Sequence, residues 1–377
     1  MLLGAMWLLL QIAAVGAAEL LPDFYFRGGE KDHFELGLAM GQAYQAAIRE
    51  RVAAHAPQLE QLLNEQRCQE HFGKLLATHQ RLVPELLEEL RGISSGSGVE
   101  FRLLLGVSLQ EELGYCNASA RRKGPDHCSD YMLCNSQHCF DVHNEDGDLP
   151  DRKLFVAQVQ LGALNFTAVN YAGDLLGGMS ALAFNSQGLG FSLNWVGPGT
   201  CDVSGLGRNF VSRQLLTAQG WDEAKSIVAQ KHAAGHNYQL LDFAHRRISN
   251  FEVAHDKVSE KVIDQAFFHA NQYQTLEVPG QITGNSSLHR LARARQLPVP
   301  RTAAEALEVL GDQQDHAYPI FHDQLSHRLG DQSDWTLASV LFDLQEGRVD
   351  LMAGNPKDGV VQRTFQVPKQ RTEHIVV

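Results

Sequence analysis

The chain has no cluster of lysine or arginine. Its 377 residues carry 32 Lys and Arg against 44 Asp and Glu, a net charge of −12 with histidine neutral. A surface of that sign offers a phosphate backbone no counter-charge, which argues against nucleic acid as a partner. Beyond its opening residues the chain also lacks an apolar run long enough to span a bilayer, so the processed protein is expected to be soluble, with no membrane span. Neither a cofactor nor a metal ion is expected.

The opening run itself holds no charge before Glu19 and ends in small residues, Gly16-Ala17-Ala18. This pattern predicts a secretory signal at 1–18, cut after Ala18, although the usual basic start is missing; an uncleaved anchor is the alternative. Three sequons agree with passage through the secretory pathway to the exterior or a lumen such as the lysosome: Asn117-Ala118-Ser119, Asn165-Phe166-Thr167 and Asn285-Ser286-Ser287. Six cysteines (68, 116, 128, 134, 139 and 201) suit an oxidising compartment.

With 44% hydrophobic residues the chain can bury a full core, as one large domain or two ordinary ones. Its 33 glycines are spread through turns, as strand-rich architecture requires. Leu36, Met40, Tyr44 and Ile48 recur at helical spacing, and further helices fit 58–65 and 72–91, with Pro84 opening a new turn. The glycines of the stretch from Glu88 to Leu105 are expected to break that helix before another begins. From Asp146 onward the texture is of short strands, among them 154–161, 165–171, 180–184 and 189–195, with Asn185-Ser186-Gln187-Gly188 closing a hairpin. Helices fit 209–219 and 222–231, strands 238–243, 248–254 and 266–270, and the segments 335–343 and 348–354 read as a terminal antiparallel pair.

The densest stretch is His127-Cys128-Ser129-Asp130-Tyr131-Met132-Leu133-Cys134, followed after a polar turn by Cys139-Phe140-Asp141-Val142-His143-Asn144-Glu145-Asp146. It reads as a hairpin turning at Asn135-Ser136-Gln137-His138, with Cys134 and Cys139 a candidate cross-hairpin disulfide. A four-residue loop sets Cys128 opposite Glu145; one more residue, or a bulge, sets it opposite Asp146. Either acid is then within reach of the cysteine. If Cys128 stays free, five cysteines remain and at least one more thiol is unpaired.

These residues resemble the self-cleaving N-terminal-nucleophile hydrolases of the isopenicillin N acyltransferase type, a group that includes β-alanyl-dopamine hydrolases. There, a cysteine inside the precursor starts a strand and the Asp of an Asn-x-Asp element follows eighteen residues later, where Asn144-Glu145-Asp146 stands here. The Gly-Ile/small/Gly-x-Gly phrase at 92–98, the amide of Gly190-Phe191-Ser192-Leu193-Asn194-Trp195 and the terminal strand pair also match. Phe268-His269-Ala270-Asn271-Gln272-Tyr273 resembles the family's His-Thr-Asn-His-Tyr phrase, with Ala270 and Gln272 as departures, and Asn285 to Arg293 resembles its Asp-Ser-x-x-Arg-x-x-Arg helix start.

The resemblance implies an α+β, four-layer αββα fold, with 19–127 a helical pro-segment retained as a small subunit and 128–377 the catalytic large subunit. It implies Cys128 as nucleophile, freed by cleavage of the His127-Cys128 bond, whose new α-amine titrates near pH 7.7 and suits a general base. Asp146 would orient that amine, Asn194 would donate to the oxyanion with Asn271 as a second candidate, Asn144 would support the site, and Arg290 would face it, stabilising it or binding a carboxylate. Many relatives have Gly before the cysteine; here His127 follows Asp126, a less permissive backbone for an N-to-S shift, and His127 could instead assist proton transfer in the cleavage. The implied activity is hydrolysis of a small N-acyl amide such as a β-alanyl amine. Alternatives are acyl transfer or cleavage of lipid or bile-salt amides on the same fold, and, in another class, a non-enzymatic secreted glycoprotein with Cys128 in a disulfide.

Overall fold

The computed structural model describes residues 20–117, 128–178, 182–332 and 334–368. The signal at 1–18, the sequon residue Ser119 and the His127 side of the expected cut lie outside the described residues.

Among the described residues the apolar and alternating runs form fourteen strands: β1 (Asp23–Gly28), β2 (Ser129–Cys134), β3 (Cys139–Gly147), β4 (Leu154–Leu161), β5 (Leu164–Tyr171), β6 (Ala183–Asn185), β7 (Leu189–Asn194), β8 (Gly235–Asp242), β9 (Arg247–Ala254), β10 (Lys257–Val262), β11 (Phe267–His269), β12 (Trp335–Asp343), β13 (Arg348–Met352) and β14 (Val361–Gln366). Eight build one sheet in the order β1-β4-β5-β6-β7-β8-β9-β10, and six build a second in the order β11-β2-β3-β12-β13-β14. Every pairing is antiparallel except β1 with β4. The protein is thus a mixed α+β molecule with two large sheets.

Strand periodicity decides which side chains meet. Along β4, Phe155, Ala157, Val159 and Leu161 face an apolar cluster shared with helices of residues 33–114, while Leu154 and Val156 turn the other way. There they join Met132, Cys139, Val340 and Leu351 of the six-stranded sheet, so side chains of both sheets share one core. The remaining face of the six-stranded sheet carries Tyr131, Phe140 and Val142 against Leu307 and Leu310 of the helix Ala303–Leu310.

The N-terminal region departs from expectation in two ways. The helix Pro84–Ser97 breaks as expected at a glycine, Gly98 in the left-handed conformation, and restarts at Phe101, but it runs unbroken through Gly92 and Gly96. A Cβ at Gly92 would stand 2.1 Å from the Phe34 oxygen, and one at Gly96 2.4 Å from that of Leu38. Gly37 and Gly41, on the helix His33–Ala43, meet the backbone of Glu89 and Ile93 as closely. Glycine here removes side chains so that two helices touch backbone to backbone, which outweighs its low helix propensity. Second, the region is not purely helical, since it supplies β1, whose short half-exposed pattern gave no strong period.

Helices also cover Gln45–Leu63, Gln66–Leu82 and Phe101–Ser108, the first starting earlier than expected and holding Pro57 inside it. Buried ion pairs tie this region to the rest: Arg51 with Asp151 at 2.6 Å and Asp174 at 2.9 Å, and Arg213 with Glu89 at 2.9 Å. Disulfides join Cys134 to Cys139 and Cys68 to Cys116, leaving Cys128 and Cys201 as thiols. Among the described residues no helix is long and apolar enough to cross a membrane.

Candidate active site

The hairpin turns where the sequence places it. Asn135 Oδ1 accepts from the backbone N–H groups of Gln137 and His138, both at 2.9 Å, closing a four-residue loop. Cys134 then pairs with Cys139 and Ser129 with Asn144, so the short-loop register is the one adopted. Side chains alternate from there. Asp130, His143 and Glu145 turn toward the eight-stranded sheet, where Ser192 and Tyr171 meet them, and Asn144 and Asp146 turn to the opposite face.

Cys128 stands just before β2, buried, as a free thiol with φ of 77°. A side chain rarely adopts that left-handed backbone, and a cost of about 1–3 kcal/mol must be offset by its surroundings. Those surroundings grip both ends of the residue. The Cys128 N–H donates to Asp146 Oδ2 at 3.2 Å, and its carbonyl oxygen accepts from Arg290 at 2.5 Å. Asp146 therefore reaches the cysteine nitrogen although the register sets Glu145 opposite. Glu145 lies instead beside the sulfur: the ligand atoms of Cys128, His143 and Glu145 are all within 4.8 Å of one another.

Electrostatics around the thiol are strongly polarised. Burial pushes the Cys128 thiol well up, and Glu145, Asp146 and Asp130 add to the push. Burial alone would lower His143, but Asp130 at 3.0 Å and Glu145 at 3.2 Å outweigh it and keep the imidazole protonated. The Ser192 hydroxyl lies 2.7 Å from Asp130 and 2.8 Å from Asp141. Burial and the neighbouring Asp130 push the Asp141 carboxyl well above the usual carboxylate range. Cys128, His143 and Glu145 are also the one trio of described residues placed to hold a metal ion, although His143 and Glu145 already neutralise each other there.

Arg290, fully buried on the helix Asn285–Gln296, is the hub of the site. One of its nitrogens donates to Cys128 O and to Ser129 Oγ at 2.8 Å, another to Asn271 Oδ1 at 2.6 Å, and Nε to Ser286 Oγ. Its contacts with the Cys128 carbonyl, Ser129, Ser286 and Asn271 anchor the backbone next to the thiol. Asn271 is further fixed by donating to the Trp195 carbonyl at 3.1 Å.

Asn194 is fully buried at the end of β7, where its Nδ2 donates to His269 Nδ1 at 3.1 Å. Its Oδ1 has no hydrogen-bond partner among the described residues. The next residue, Trp195, is tied through Asn271 to Arg290, which holds the Cys128 carbonyl. Asn144 is a structural tie, donating to the carbonyls of Leu310 and Ile320 and accepting from Ser339. Of the sequon asparagines, Asn165 and Asn285 are exposed, and Asn117 donates to Glu65.

Several site residues were not singled out from sequence. Asp146 Oδ1 accepts from Thr336 at 2.6 Å, and His322, itself paired with Asp331 at 2.9 Å, lies 3.8 Å from Asp146 Oδ2. Tyr171 donates to Glu145 Oε1 at 2.6 Å, and Glu252 holds His269 at 3.0 Å. The available signal was the polar run His143-Asn144-Glu145-Asp146 in a strand buried on both faces, where each group needs a partner.

Residues 134–358 match the family described as acyl-coenzyme A:6-aminopenicillanic acid acyl-transferase. The chain belongs to this family. Within it, a β-alanyl-dopamine/carcinine hydrolase of Drosophila melanogaster is 23% identical over 377 residues, an alignment covering 90% of this chain and 94% of the fly protein. The acyl-transferase family match begins six residues after Cys128 and takes in Asp146, Asn194, Asn271 and Arg290. Membership and the hydrolase relative make this chain an enzyme of the amide hydrolase or acyltransferase kind.

Proposed function

We propose that the protein is a secreted, self-processing cysteine amidohydrolase acting on a small N-acyl amide, a β-alanyl amine being the first candidate. The observation that carries this is the hold on Cys128: a free thiol at left-handed φ, its nitrogen on Asp146 and its carbonyl on Arg290. A peptide bond held in a sparsely populated conformation, next to its own nucleophile, suits an N-to-S shift. That strain supplies what Gly would supply in place of His127.

Cleavage leaves Cys128 with an α-amine at the position where Asp146 already accepts a hydrogen bond. The amine takes the thiol proton, the thiolate attacks the amide carbonyl, and the leaving amine receives the proton. Asn194 and Asn271 serve the oxyanion, a contribution of about 3–4 kcal/mol for one such donor. The layers follow the same reading: helices, eight-stranded sheet, six-stranded sheet, helix, an αββα sandwich in which 19–127 remains bound as a small subunit. Export through a signal at 1–18 and glycans on Asn117, Asn165 and Asn285 belong to this reading.

Hydrolysis is preferred to acyl transfer because the relative aligned over nine-tenths of the chain is a hydrolase. The test is N-terminal sequencing of the larger fragment, expected to start at Cys128. Amine release is then measured from β-alanyl-dopamine, β-alanyl-histamine, a fatty acyl amide and a bile-salt conjugate. Turnover of a lipid-like amide without β-alanyl turnover overturns the substrate class, and an active, uncut chain overturns the mechanism.

A further inference from the structure

Before the chain is cut, the base assigned to turnover does not exist. The nitrogen of Cys128 is then an amide that donates to Asp146, with no lone pair available for a proton. The thiol is buried among carboxylates and holds its proton firmly. A different group must take that proton in the first, self-directed reaction.

The neighbours of the sulfur narrow the choice. His143 is an imidazolium between Asp130 and Glu145, already protonated and unable to accept. Asp130 turns its Oδ1 to His143 and Ser192, and Asp146 lies on the other face of the hairpin, holding the Cys128 N–H and accepting from Thr336. Among the described residues, Glu145 is the acid that shares a 4.8 Å cluster with the sulfur and His143. Its Oε1 accepts from Tyr171 and its Oε2 faces His143 at 3.2 Å, and it lies within 4.8 Å of the sulfur, a gap that a small side-chain rotation or one water closes.

We propose that Glu145 is the general base of self-cleavage, with His143 and Tyr171 as its positioning residues, and that the freed α-amine replaces it in turnover. This rests on the reading of Cys128 as a self-cleaving nucleophile. The Cys128 thiol gives its proton to Glu145, and the sulfur bonds to the carbonyl carbon of His127. The carbon–nitrogen bond breaks as Glu145 returns the proton to the departing nitrogen, leaving a thioester and the α-amine of Cys128. Water then adds to the thioester carbon, giving a carboxyl group on His127 and a free thiol.

The two roles separate experimentally in the full chain. Self-cleavage of Glu145→Gln is followed on gels after cell-free synthesis. A parallel version carries a protease site ending at position 127, so that an added protease frees the Cys128 amine. Glu145→Gln is expected to slow self-cleavage at least about 100-fold, while the externally cut variant hydrolyses amide within about tenfold of wild type cut in the same way. Glu145→Asp, which keeps the charge beside His143, is expected to cleave itself slowly and to melt near wild type; should the Gln variant not fold, it decides. Self-cleavage at the wild-type rate in either variant overturns the proposal, as does an equal loss in both steps. A wild-type chain that never cuts itself overturns the parent reading instead.

Discussion

Arg290 donates to the carbonyl oxygen of Cys128, a residue 162 positions earlier in the chain. The same guanidinium reaches Ser129 and Asn271, so one side chain fixes the backbone at and just after the Cys128 thiol. A lysine keeps the charge but cannot make this fork. Arg290→Lys should therefore slow both self-cleavage and amide hydrolysis about 100-fold, the scale of a misplacement near 1 Å. Wild-type rates on gels and in amine-release assays would remove Arg290 from the role of anchor.

Asp146 accepts from the nitrogen that the proposed cut would turn into an amine, with Thr336 donating to its other oxygen and His322 3.8 Å away. Asp146→Asn keeps the shape and loses the charge that holds an ammonium. We expect kcat of the cut enzyme to fall by about 10²–10⁴, whereas Thr336→Val, which only loosens the carboxylate, should cost far less. If the two variants lose equal activity, the carboxylate charge is not what matters.

Arg51 belongs to the segment before the expected cut, and its partners Asp151 and Asp174 to the segment after it. All three are buried. Arg51→Met strands two carboxylates, and breaking such a buried arrangement costs about 3–5 kcal/mol. Urea unfolding should report a loss of that size; a change under about 1 kcal/mol would show that the pairs behave as surface ones.

Acid should loosen the same junction. Burial would raise Asp151 and Glu89, but Arg51 and His55 hold the first, and Arg213 and His33 the second, below the usual carboxylate range. Depressed acids contribute stability that is complete above their unfolded value, about 4, and lost as pH falls through the folded value. His79, pushed down by burial to about 4 and accepting from the Gly207 N–H, loses its share earlier, as pH falls below about 6.5. His143, raised by its carboxylates, works the other way and loses its contribution only as pH climbs through its folded value. Urea midpoints should fall as pH drops below about 6.5, where His79 loses its share, and fall further below about 4, where the two acids lose theirs; a profile flat from about pH 6.5 to about 3 would contradict these assignments.

The strands and the hairpin were legible because both depend on local pattern: period-two alternation, Asn and Gly turns, and a loop whose length fixes its register. That Cys128 would be met by an acid was legible too. That it is met by two, Glu145 at the sulfur and Asp146 at the nitrogen, was not, since register assigns opposite partners and says nothing of a residue that leaves the strand at positive φ. His322, Thr336 and Tyr171 arrive from distant strands and loops, and no short-range signal ties them to the hairpin. Gly92 and Gly96 look like helix breakers because their purpose lies in another helix, at Phe34 and Leu38.

If the chain cuts itself as proposed, the left-handed φ of Cys128 also bears on every catalytic cycle after the first. An N-terminal residue has no φ, so cutting the chain abolishes the constraint along with the bond. Each acylated thiol then sits next to an amine on the same residue, and transfer from sulfur to nitrogen would cap the enzyme with a stable amide. To do so it must rebuild a peptide unit in the conformation that Asp146 and Arg290 impose, at a cost of about 1–3 kcal/mol. The feature that helps the precursor break thus works against the mature enzyme acylating itself, leaving water as the easier exit for the acyl group.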